Sequence, residues 1–388
     1  MVISHVFQDG LPLSWFCFSE HRGSTPLENQ RNRTRNVIEW PILQVTTDGN
    51  EEPRDRTRLI THAGDSTAQH HQNPPPATAN MASERISVEF ITTGNVWMRN
   101  PMQGQPIANR SIAMRFLRSL TGGDWIGPMP LGAFLIRHPA GPILFDTGVS
   151  THCTEPGYFP CLNPVPGMLN KLEVTRGDGI VDQLRRRGVE PTDLQFVVLS
   201  HLHHDHAGGL EELAVAAPDV PVYVGPDHWD AFGKHPVWAA MQGCTPDRWP
   251  PGFEPRMLDF EERRAVGPWH RSCVLTANGS VVAVDTPGHV PGHVSLIVVG
   301  DNDDDDGTTT RYLLTGDATY AIDVLEREEP DGANVDPVSA FESLRKIKEY
   351  ARTHDVVVLP SHDPDTPRLL RDRVVYRPKD LAREAVTS

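Results

Sequence analysis

The chain has 388 residues, enough for one large domain or two modest ones with a well-buried core. Lysine plus arginine number 36 against 51 aspartate plus glutamate, a formal charge of -15, so a nucleic-acid backbone would meet net repulsion and is disfavoured as a partner. The cysteines Cys17, Cys153, Cys161, Cys244 and Cys273 form no CxxC pair or disulfide framework, and no apolar run approaches a membrane span, so a cytoplasmic protein with reduced thiols and no membrane partner is expected.

Residues 1–84 are rich in Arg, Asn, Thr and Gln and end in "AQHHQNPPPATANMASER", which has no hydrophobic period. This composition predicts a disordered extension, in which His70 and His71 are solvated. Met81 also reads as an alternative start of the natural chain. From residue 85 to 388 a single domain is expected. Its strands are "ISVEFITTG", "GAFLIRH", "PILFDTG", "FVVLSH", "VPVYVG", "SVVAVDTPG", "HVSLIVVG", "RYLLTGD" and "DVVVLPSH", β-branched runs bounded by turn residues. Helices are expected in "DGIVDQLRRRGV", "GGLEELAVAA" and "DPVSAFESLRKIKEYART". In the last, Asp336 is the N-cap, Pro337 takes the first helical position, and Val338, Phe341, Leu344 and Ile347 form the apolar face. Strands and helices intermingle without strict alternation, which predicts a layered α/β domain with mixed sheets. The acidic run at 301–310 lacks the alternating ligands of an EF-hand and reads as a solvated hairpin loop. Two segments, 94–116 and Trp229 to Trp269, suit a substrate pocket, core or a subunit contact equally well, and oligomeric state is not legible.

The densest chemistry lies in "VVLSHLHHDHAGGL" at 197–210, where four histidines and one aspartate crowd into six positions between an apolar strand and a helix start. Turns at strand C-termini are where α/β proteins place their chemistry, and imidazole with carboxylate is a metal-ligand set. His201 and His203, two apart, can converge on one ion, while Asp205 and His206 turn toward a second; His204 is left out. Later strand ends offer further ligands: His289 and His293 in "VDTPGHVPGH", Asp317 in "LLTGDATY" and His362 in "VVLPSHD".

Together, "FDTG", "SHLHHDHAGG", "TPGHVPGH", "LLTGDATY" and "LPSHD" resemble the metallo-β-lactamase superfamily over residues 86 to 365. The resemblance implies a four-layer αββα sandwich of two mixed β-sheets with two divalent metal ions, zinc first among the candidates. It assigns His201, His203 and His289 to one ion, Asp205, His206 and His362 to the other, and Asp317 to both. Asp146 of "FDTG" would orient a ligand histidine, and His293 would support the site without ligating. Within the superfamily, "TPGHVPGHVSL", "TGDATY" and "SHD" are most similar to the N-acyl homoserine lactonase group, whose pattern places Tyr320 against the substrate carbonyl.

The chemistry expected is hydrolysis of a small lactone. A water shared by two cations ionises near neutral pH and attacks the carbonyl, Tyr320 donates to the developing oxyanion, and Asp205 serves as both ligand and proton shuttle to the leaving group. A lactam, another ester or a thioester would use the same groups, and a mononuclear iron dioxygenase could use part of them. The acidic balance argues against a nuclease.

Overall fold

In the computed structural model, which describes residues 85–379 apart from 109–110, 160–168, 263 and 303–307, each strand segment expected from the sequence is extended. The proposed extension at 1–84, Cys17, Cys161, His70 and His71 lie outside the described residues. The first sheet contains β1 (Ser87–Arg99), β2 (Trp125–Arg137), β3 (Ile143–Phe145), β4 (Asn170–Glu173), β5 (Phe196–Val198), β6 (Val222–Val224) and β7 (Arg256–Met257), in the order β4-β1-β2-β3-β5-β6-β7. The second contains β8 (Ser272–Val274), β9 (Val281–Asp285), β10 (Val294–Asp301), β11 (Thr309–Gly316) and β12 (Val356–Pro360), in the order β12-β11-β10-β9-β8. Both sheets are mixed: β3, β5, β6 and β7 pair in parallel, as do β11 and β12, and the other pairings are antiparallel.

Side chains alternate across a strand, so an apolar strand with helices on one side and a sheet on the other can be buried on both faces. Phe134, Ile136, Phe145 and Val198 of the first sheet meet Val294, Leu296, Leu314, Val357 and Leu359 of the second in the central core. The intervening residues face outward. Ala133, Leu135, Leu144 and Val197 pack under the helices Ile180–Arg186 and Leu210–Ala216, and Ile297, Leu313, Val356 and Val358 pack under the helix Pro337–Thr353. The layers are therefore αββα, as expected, with helices closing both outer faces.

Three features differ from the sequence expectation. First, β4, β7 and β8 lie outside the apolar runs of the sequence: they are short edge strands in which pairing to a neighbour supplies what apolar alternation does not. Second, the segment 94–99 extends β1, and Val96 and Met98 are buried, so this part of 94–116 is core. Trp269 is likewise fully buried under the second sheet. Third, the buried face of the helix Pro337–Thr353 runs through Ala340, Leu344, Ile347 and Ala351, whereas Val338 is exposed and Phe341 only partly buried. Each step of three residues turns about 300°, so a stripe built only of such steps winds off the contact face. The acidic run does join antiparallel partners, β10 and β11, with Asp301 opposite Thr309; residues 303–307 lie outside the described set. Cys153, Cys244 and Cys273 are free and buried. Among the described residues, no helix is long and apolar enough to cross a membrane.

Asp336 caps the helix Pro337–Thr353, its Oδ1 accepting from the backbone N–H of Val338 at 3.0 Å and Ser339 at 3.2 Å. Replacing it with alanine leaves those donors to water, and Asp336→Ala is expected to lower unfolding free energy by about 1 kcal/mol in urea denaturation. An unchanged midpoint would mean that packing alone sets this helix start.

Candidate metal centre

The strand ends converge because the backbone of "FDTG" grips the histidine-rich turn. Asp146 adopts a left-handed conformation at φ 62°, which aspartate tolerates better than most residues, and this turns its carboxylate back under β5. One oxygen accepts the Ser200 N–H at 2.7 Å, and the other accepts the Ser200 hydroxyl at 2.9 Å and the His206 Nδ1–H at 2.8 Å. Thr147 adds two bonds to the His206 carbonyl, from its N–H at 2.7 Å and its hydroxyl at 2.9 Å. Gly148, at φ 67°, has no space for a side chain, since a Cβ would lie 2.1 Å from Thr93 Oγ1.

Partners outside the cluster fix which ring nitrogen faces in. The Ser200 hydroxyl gives its proton to Asp146, so it accepts from His201 Nδ1 at 3.0 Å and leaves His201 Nε2 as the inward lone pair. His362 Nδ1 donates to the Pro130 carbonyl at 2.9 Å, and His206 Nδ1 to Asp146, with the same result. His203 turns its Nδ1 inward instead, 3.0 Å from His289 Nε2.

Among the described residues, three overlapping groups could hold a metal ion: His201, His203 and His289; His201, His206 and Asp317; and Asp205, His206 and His362. Asp317 lies between the first and third. Its Oδ1 is 3.1 Å from Nε2 of both His206 and His362, and its Oδ2 is 3.6 Å from His289 Nε2. Asp205 Oδ2 is 3.6 Å from His362 Nε2 and 4.0 Å from His206 Nε2, and its side chain keeps 19% exposure where Asp317 keeps 2%. The structure thus assembles every residue expected as a ligand, and His204 belongs to none of the groups. Its ring packs edge-on against Phe159, at 4.9 Å.

His201 Nε2 is buried without a hydrogen-bond partner among the described residues, and His206 Nε2 and Asp317 Oδ1, though 3.1 Å apart as an ion pair, are not aligned for a hydrogen bond. Leaving such atoms unpaired costs about 1–3 kcal/mol each, so their convergence calls for a shared partner. Burial, with neighbouring imidazoles, holds His201 and His203 well below the usual imidazole range, keeping them neutral and able to ligate. Burial alone would raise Asp317, but His206 and His362 outweigh it and hold the carboxyl well below its usual range. Burial opposes protonation of His206, His289 and His362, but the carboxylates of Asp317, Asp146 and Asp331 outweigh it and hold these rings above the usual imidazole range. A divalent zinc-like cation that takes the place of their protons among the ionised carboxylates fits this donor set.

His293 is occupied otherwise, as expected of a supporting residue. Its Nε2 accepts the Asp317 N–H at 3.0 Å, which puts its proton on Nδ1, beside Thr286 Oγ1 at 2.9 Å. Tyr320 is buried, with its ring 5.1 Å from that of His362 and 6.0 Å from that of His289. Burial and the carboxylates of Asp317, Asp331 and Asp205 hold its phenol well above the ordinary range, so it remains a proton donor. Two residues escaped the sequence reading. His228 joins the turns, accepting the Leu202 N–H at 2.9 Å and donating to the Pro291 carbonyl at 2.9 Å, and burial lowers it to about 3. It follows β6 as His201 follows β5, and that placement was a usable signal. Asp331, 3.2 Å from His289 Nδ1, had none.

A family model described as the metallo-beta-lactamase superfamily matches residues 127–362. The N-acyl homoserine lactonase AttM of Agrobacterium fabrum is 30% identical over 255 residues, covering 63% of this chain and 85% of the relative. The N-acyl homoserine lactonase AiiA of Bacillus thuringiensis subsp. kurstaki is 29% identical over 246 residues, with the same coverage of 63% and 85%. Among solved structures, a variant of B. thuringiensis AiiA with N-decanoyl-L-homoserine bound at its active site aligns with a TM-score of 0.55 at 25% identity, covering 73% of this chain and 95% of that one. The family model spans more than half of the chain, from β2 to His362, and the chain belongs to the metallo-beta-lactamase superfamily.

Proposed function

We propose that the protein is a dinuclear metal-dependent hydrolase that opens the ring of an N-acyl homoserine lactone. The observation that carries this reading is the position of Asp317 between two histidine-containing groups, with the protonated Tyr320 beside both. The names of the relatives, N-acyl homoserine lactonases, support the substrate class. His201, His203 and His289 would hold one ion and Asp205, His206 and His362 the second, with Asp317, which lies within 3.6 Å of histidines of both groups, available to either; zinc is the expected metal. When bound, the ions supply Lewis acidity toward the carbonyl and the leaving alkoxide and bring the pKa of a water toward neutrality.

The remaining work falls to side chains. Tyr320 donates its hydroxyl proton in a hydrogen bond to the carbonyl oxygen as negative charge develops there. Asp205, the more exposed of the two carboxylates, takes up the proton of the attacking water and returns it to the ring oxygen as the C–O bond breaks. His293 and Asp146 hold Asp317 and His206 in place through the bonds described above. Tyr320 also belongs to an apolar cluster with Met98, Met129, Leu131 and Val149, whose partly buried members Phe116, Leu120 and Phe159 offer surface to an acyl tail.

Acid release from short- and long-chain N-acyl homoserine lactones by protein of counted metal content tests the reading, with Asp205→Asn as the control. Release that fails in the variant supports it; silence with two metals bound moves the substrate to lactams or other esters. Asp317→Asn should lose tight binding of two metals, and two tightly held ions with full activity would sink its shared role. Tyr320→Phe should lower kcat by about ten- to a hundredfold with metal content intact, and an unchanged kcat would return this residue to packing.

A further inference from the structure

The segment 330–336 runs beside the loop that carries His289 and is bonded to it at its C-terminal end, with Asp331 touching His289 at the other. Val335 N–H donates to the His289 carbonyl and Asp336 N–H to the Gly288 carbonyl, both at 2.9 Å. At the head of this strap, the buried Asp331 splits its carboxylate: Oδ1 accepts the Ala333 N–H at 2.9 Å, and Oδ2 lies 3.2 Å from His289 Nδ1. The other side of the strap is held by Arg115, which is buried in the helix Ile112–Thr121. Its Nη2 donates to the carbonyls of Pro330 at 2.5 Å, Asp331 at 2.7 Å and Gln105 at 3.2 Å. Gly332 is wedged between, donating its N–H to the Met102 carbonyl at 2.8 Å; a Cβ there would lie 2.2 Å from the Pro101 carbonyl oxygen. The strap has little freedom to move relative to His289.

We infer that Asp331 is a positioning residue of the metal centre, fixing the His289 ring with Nε2 inward, and that Arg115 holds Asp331 to this task from outside the site. The inference rests on His289 being a ligand. A carboxylate on the outer nitrogen of a ligating histidine fixes its tautomer and raises its basicity, and loss of such a partner costs about 10–100-fold in metal affinity. Arg115 suits the anchoring role because its planar fork satisfies several carbonyls at once, which a lysine ammonium does not reproduce.

The test uses the full chain loaded with two equivalents of zinc. Zinc release to a chromophoric chelator is followed in the parent protein and in Asp331→Asn, Arg115→Lys and His289→Ala, and imidazole N–H resonances are recorded in the loaded parent. Asp331→Asn keeps an acceptor for Ala333 N–H, so the turn is retained. The expected result is that Asp331→Asn weakens one zinc site by about 10–100-fold and leaves the other unchanged. Arg115→Lys should move the same site by less, and the parent should show a downfield His289 Nδ1 proton that Asp331→Asn loses. If His289→Ala loses one zinc while Asp331→Asn retains both with parental affinity, the positioning role is overturned and the ligand assignment stands. If His289→Ala itself retains both, the ligand assignment fails and the inference with it. Absence of the Nδ1 proton from the parent overturns the positioning role whether or not any variant folds.

Discussion

The carboxylate of Asp146 is the interaction on which the site depends. It sits at zero exposure, and an isolated buried charge of that kind is costly unless it is fully hydrogen-bonded. Ser200 N–H, Ser200 Oγ and His206 Nδ1 satisfy it, and those same bonds tie the end of β3 to the end of β5. Burial raises the Asp146 carboxyl, and the contacts with His206 and Ser200 oppose that rise. One residue thereby sets a loop conformation, a strand-end separation and the orientation of one histidine.

The same principle recurs around the cluster. Most rings are turned by a partner on the outer side: Ser200 for His201, Asp146 for His206, the Pro130 carbonyl for His362 and Thr286 for His293, with Asp331 3.2 Å from the outer nitrogen of His289, whereas His203 Nε2 has no hydrogen-bond partner among the described residues. These partners come from different strands and connections of both sheets. The inward lone pairs converge only because the sandwich brings the ends of β5, β9, β11 and β12 to one edge. Lateral support then comes from packing: the core between the sheets fixes their relative position, and the outer helices prevent either sheet from twisting away.

Much of this is written locally. The spacing of His201, His203, Asp205 and His206 after an apolar strand identifies a metal site, because successive side chains leaving one strand end can reach only a small volume. Helix caps and strand alternation are equally local, and Asp336 caps its helix as the sequence indicates. The edge strands β4, β7 and β8 are not local in this sense: their residues are extended because a neighbour offers hydrogen bonds. Lys348 makes the same point. A charged residue among the charges of "RKIKEY", it is fully buried, its Nζ donating to the Glu326 carbonyl at 2.9 Å and pairing with Glu328 at 3.0 Å.

By itself the sequence determined which residue types cluster at strand ends, and hence the candidate ligands and the layered α/β class, since periodicity and spacing are properties of short segments. Only the tertiary structure decided which nitrogen of each ring faces inward, that Asp317 stands between two groups, and that Asp331 and His228 belong to the site. Those facts depend on contacts between residues tens to hundreds of positions apart. Such contacts are set by how two sheets pack face to face, and no local pattern encodes that.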